Sequence, residues 1–126
     1  MQVDVDVIGF MQGHTAAPVQ QGVISEDKPN LRVWLQRRPS NLDLLLDGSP
    51  SLATAFYAVE VTGLDIDAVE TEADNLRTAL HGYFGPMGTT HVLGAFANDL
   101  EEDYIPRSLN ADEGFHLEGF ELQIIF

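Results

Sequence analysis

Apolar residues recur along this chain at two periods, and the period assigns most of the elements. The opening segment fits both. Val3, Val5 and Val7 alternate with Asp4 and Asp6, the pattern of a strand with one wet face. Val3, Val7 and Met11, widened by Ile8, also line one face of a helix, while the β-branched residues favour strand on propensity. Residues 13–22 have no period, contain Pro18 and read as a connector. Residues 31–38 (LRVWLQRR) read as a strand: Leu31, Val33 and Leu35 share one face, Arg32, Trp34 and Gln36 the other. Residues 23–25 are a candidate pairing segment just before it, and Pro39 ends the run because proline donates no ladder hydrogen bond.

Residues 53–62 (ATAFYAVEVT) are the clearest strand, apolar on both faces and so placed mid-sheet or at an interface. Residues 65–81 are the clearest helix. Ile66, Val69, Ala73, Leu76 and Leu80 fall at steps of three and four and predict one stripe facing the sheet. Asp65 and Asp67 are both candidate N-caps, and acids crowd the first turns, where the helix dipole favours them. Arg77 and His81 lie near the far end, and Gly82 supplies the stop. Residues 83–90 read as a turn-rich linker, 91–98 as a strand, and 99–110 as an acidic loop. In the closing strand, residues 114–126, the apolar parity shifts between Leu117 and Phe120, which predicts a bulge at Gly119. The order gives an α+β fold: a mostly antiparallel four- to five-stranded sheet with one long helix packed on one face, a single domain over residues 1–126.

Charge narrows the function classes. The 126 residues hold 20 Asp and Glu against 6 Lys and Arg, a formal charge of -14. Such a surface opposes phosphate-gripping nucleic-acid binding and attraction to anionic lipid, so neither sequence-specific nucleic-acid binding nor a membrane role is expected. No cysteine is present, which excludes disulfides, thiolate metal sites and cysteine nucleophiles. The acidic N-terminus does not read as a secretory signal. Four of the six cations, Lys28, Arg32, Arg37 and Arg38, fall within eleven residues, while Asp99, Glu101, Glu102 and Asp103 form a dense acidic run. These opposed patches suit self-association, although solvated charge alone also accounts for them.

Catalytic signals are sparse. The nucleophile-elbow, phosphate-loop and dinucleotide motifs are all missing from the sequence. His14, His81, His91 and His116 are widely separated. His116 and Glu118, two apart on a strand, make half of a metal site, but the spacing reads first as a polar pair on a wet face. The acids at 99–103 lack the glycine and distal glutamate of a calcium loop. The expectation is therefore no enzyme activity, no cofactor and no metal. Leu44, Leu45 and Leu46, flanked by Asp43 and Asp47 in the long connection 39–52, either fold back on the core or form an apolar contact point for another subunit.

The succession of LRVWLQRR, the long loop, AFYAVEVTG, the helix opening DIDAVETEADNLRTALHGYFG, the segment NDLEEDYIPRSLNADEG and the final FHLEGFELQIIF resembles the tail-completion (tail-terminator, head–tail joining) proteins of long-tailed bacteriophages and prophages. The resembling features are Asp65 at the helix start, the Ala73, Leu76 and Leu80 face, Gly82 after it, and Asp103-Tyr104 with Pro106 before an alternating last strand. The match covers about residues 31–126 and consists of apolar patterns, with no catalytic signature. Family members usually begin with a longer helix, where this chain has a short valine-rich segment. The resemblance implies a structural subunit of the virion, or of the host cytoplasm during assembly. Such a subunit forms a homo-oligomeric ring, commonly a hexamer, that caps the tail tube and joins it to the head connector. Arg37, Arg38, Leu44, Leu45, Leu46, Asp99, Glu101, Glu102 and Asp103 are the candidate subunit or partner contacts. The rival reading is an acidic protein-binding adaptor without catalytic activity.

Overall fold

The protein is described by a computed structural model that covers residues 2–22, 31–38, 54–105 and 115–126, with only the backbone of 99, 100, 103–105 and 115. Its elements are α1 (Gln2–Gln12), β1 (Val19–Gln21), β2 (Arg32–Arg38), β3 (Thr54–Gly63), α2 (Ile66–Leu80), β4 (Gly85–Met87), β5 (Thr90–Val92), β6 (Gly94–Ile105) and β7 (Phe115–Ile125). Five strands form one sheet in the order β1-β2-β3-β7-β6, and β4 and β5 form a separate hairpin. β1 runs parallel to β2 and the other neighbours are antiparallel, so the sheet is mixed. The α+β class holds, with two helices in place of one.

The core lies between the helices and one face of the sheet. The register sets Val33 opposite Val61, Leu35 opposite Val59, Tyr57 opposite Leu122 and Ala55 opposite Ile124, so these side chains share that face. Val3, Val7 and Met11 of α1 and Val69, Ala73, Leu76 and Leu80 of α2 are buried against them. The α2 stripe is as the sequence predicts except at its first position. Ile66 is 46% exposed, because it sits in the opening turn, just after the Asp65 cap. The Asp65 side chain accepts from the Asp67 N–H at 3.0 Å. At the other end Gly82 adopts φ +80°, and its N–H donates to the Ala95 carbonyl.

The opening segment is a helix, against its strand-like alternation. The two aspartates that suggest a wet face are buried and bonded. Asp4 accepts from Arg37 Nη1 (2.7 Å) and from the Tyr57 hydroxyl (2.5 Å), both on the core side of the sheet. Asp6 accepts from Gln2 Nε2 (2.9 Å) and from the Thr89 and Thr90 hydroxyls (3.2 and 2.5 Å) in the hairpin. Val5, placed by the alternation with its neighbours, points outward at 62% exposure. Polar partners supplied by distant elements decide here over local propensity. Gly88 makes the docking possible. It turns the hairpin at φ +59°, and a Cβ there would lie 2.2 Å from Asp6 Oδ1.

Three further expectations are corrected. The connector at 13–22 contains β1, whose carbonyl neighbour Pro18 accepts from Val33 N–H. The linker at 83–90 forms most of the β4–β5 hairpin. The acidic segment begins within β6, which continues through Ile105. The predicted bulge is also on the other strand: β7 pairs with β3 without a break from His116 to Ile125, whereas β6 shifts register between Asn98 and Glu101. The parity change in β7 has a different cause. Glu118 occupies a core-side position with Phe120, Leu122 and Ile124, and Leu117 faces the opposite side. Gly119 serves close approach, since a Cβ would lie 3.1 Å from the Val59 carbonyl oxygen. The candidate strand at 23–25 and the leucine loop at 39–52 lie outside the described residues.

Candidate functional site

β6 forms one edge of the sheet, and its acids meet those of α2 and β7 there. Glu118 lies across from Glu102 in the β6–β7 ladder, and α2 passes over the same side with Glu70. One carboxylate oxygen from each of Glu70, Glu102 and Glu118 falls within 4.8 Å of the others. Glu102 is exposed, Glu70 half-buried, and Glu118 only 3% exposed. Burial pushes the Glu118 carboxyl up to about 7, helped by the charges of Glu102, Asp74 and Glu70 and opposed by Arg77. Arg77 Nη2 itself lies 3.7 Å from Asp74. The expected wet-face pair of His116 and Glu118 is thus corrected: Glu118 sits beneath α2, in a position that alternation reserves for apolar side chains.

The opposite sheet face carries a concavity of about 530 Å³ over Ala58 and Gly119, bordered by Arg38, Glu60, Glu101 and Glu121. Its floor is low because these two positions project little or nothing. Glu60 titrates above the usual carboxylate range, from burial first and then Glu101, with Arg38 opposing. Arg38 Nε is 3.8 Å from Glu121 Oε1, a solvent-exposed pair of small energetic weight.

The structure separates the candidate contact residues. Arg37 points to the core side and holds Asp4, so its charge is used within the chain. Arg38 and Glu101 border the open-face concavity, and Glu102 belongs to the carboxylate cluster on the other face. Asp99 and Asp103 are on β6, and their side chains lie outside the described residues, as do Leu44, Leu45 and Leu46 altogether. All four histidines have partners. His81 Nδ1 accepts from Ala97 N–H (3.0 Å) and ties the end of α2 to β6. His14 stacks on Phe10, and His91 meets Phe84 edge-on. Exposed apolar side chains gather on the hairpin segment and the start of β6: Phe84, at 69% exposure, with Leu93 and Phe96. No helix among the described residues is long and apolar enough to cross a membrane.

The fold has a solved counterpart. The chain is similar to one from a structure described as the virion of a native gene transfer agent (GTA) particle, with a TM-score of 0.55 over 99% of this chain and 87% of that one. The two are 10% identical, so the likeness is one of fold. No protein-family model and no curated protein matches the sequence.

Sequence reasoning passed over Glu70, which reads simply as one of several acids in the first turns of a helix, and over Asp4. The available signal was Glu118, an acid at the same parity as Phe120, Leu122 and Ile124. An acid in the core phase of a strand marks either a partnered charge or a ligand site.

Proposed function

We propose that the chain is a structural subunit of a phage-like particle, of the tail-completion type, without catalytic activity. It assembles into a ring, commonly six-membered in proteins of this type, that caps the tail tube and meets the head connector. The observation that carries the reading is the fold likeness to the particle chain, which extends over nearly the whole length of both. The sequence pattern resembles tail-completion proteins independently of that likeness. Two features of the molecule support a ring. A closed ring needs two different complementary patches on each subunit. The order β1-β2-β3-β7-β6 sets the arginine-bearing β2 and the acidic β6 on opposite sides of the sheet centre, and Phe84, Leu93 and Phe96 add exposed apolar area. An acidic ring lumen would also let DNA pass without holding it, because few cations would neutralise phosphate.

Particle production with and without the gene tests this. Without the chain, electron microscopy should show heads and tails that fail to join, or tails of uncontrolled length. A labelled chain should mark the head–tail junction. Normal joined particles in its absence, or label dispersed away from particles, would favour the acidic adaptor.

A further inference from the structure

The carboxylate cluster under the edge of the sheet has the build of a cation site. Its three acids come from three elements, Glu70 from α2, Glu102 from β6 and Glu118 from β7, so no local sequence rule explains their meeting. A set of surface acids would mean little, but Glu118 is not on the surface. It is buried, and its Oε2 has no hydrogen-bond partner among the described residues. An orphaned buried carboxylate oxygen is costly unless something of opposite charge meets it. Arg77 supplies positive charge nearby, yet makes no hydrogen bond to that oxygen. Between the acids lies a small cavity of about 20 Å³, lined also by His116, Ile66 and Val69. That is room for one ion or one water.

We propose that Glu70, Glu102 and Glu118 bind a single calcium-type divalent cation, with His116 beside it on the same face of β7. The donors are hard carboxylate oxygens, which suit calcium or magnesium over softer metals. Coordination favours the larger ion: calcium accepts irregular carboxylate sets, whereas magnesium demands a near-ideal octahedron and keeps most of its waters. The bound ion would clamp α2 to the β6 edge and cancel the mutual repulsion of the three acids. This inference stands apart from the particle assignment, since it rests on the cluster alone.

The test is calorimetric titration of the full chain with calcium chloride, in potassium chloride high enough to suppress diffuse binding to an acidic protein. The expected result is one saturable site, weakened about tenfold or more by Glu118→Gln. Glu121→Gln, which removes an acid from the opposite face, should leave it unchanged. Glu102→Gln, at an exposed position, repeats the test should Glu118→Gln fold poorly. Magnesium should bind more weakly than calcium. Uptake that never saturates, or equal calcium affinity in both cluster variants and the parent, would overturn the site. Tighter magnesium binding would overturn the assignment to calcium.

Discussion

At the scale of single residues, Asp4 carries the most distinctive chemistry outside the carboxylate cluster. Burial alone would raise its pKa, but the Tyr57 hydroxyl and the Arg37 guanidinium outweigh burial and hold it below the usual carboxylate range. The same contact, with burial, pushes the Tyr57 phenol up. A carboxylate whose folded pKa is lowered contributes stability above its unfolded value of about 3.9 and loses it as the pH falls through the folded value. Asp4→Asn keeps the shape and removes the charge, and should cost roughly 1–3 kcal/mol at neutral pH. Denaturant unfolding of parent and variant from pH 7 to 3 should show the gap closing at the acid end. A gap that stays constant with pH would mean that the contact acts by packing and not by charge.

At the scale of elements, α2 gives the sharpest contrast. Leu76 is fully buried and Ile66 is half outside, although both fit the same sequence stripe. Leu76→Ala should cost about 2–5 kcal/mol, whereas Ile66→Ser should stay within about 0.5 kcal/mol in thermal or denaturant unfolding. In α1, Gly9 sits at an exposed helical position where an added Cβ meets nothing within 4 Å. Gly9→Ala should therefore stabilise by about 0.5–1 kcal/mol, and a loss of stability instead would contradict the helix. These elements also show what was legible beforehand. The Leu76 stripe and the β3 alternation were readable because their partners are apolar and packing follows period. α1 was not, because the burial of Asp4 and Asp6 depends on Arg37, Tyr57 and the hairpin threonines, all far away in sequence. The bulge that the sequence predicts at Gly119 in the closing strand does not form, because Glu118 in a core position imitates a phase shift. The carboxylate cluster was half visible in His116 and Glu118, and its other members arrive only through topology.

At the scale of the whole molecule, the proposed ring requires self-association through unlike surfaces. The acidic β6 edge is long, bulged and charged, and bulges and charge are features that keep an edge strand from unspecific pairing. Contacts steered by charge weaken with salt, because the screening length falls to about 10 Å at 0.1 M. Arg38→Glu, at an exposed β2 position, should lower the association constant and flatten its salt dependence without changing the fold. Native mass spectrometry of the full chain is the most direct test of the central claim. The expected result is a single closed species of ring size, six copies by the proposal, that dissociates as ionic strength rises. A strict monomer or a simple dimer across all concentrations would contradict it.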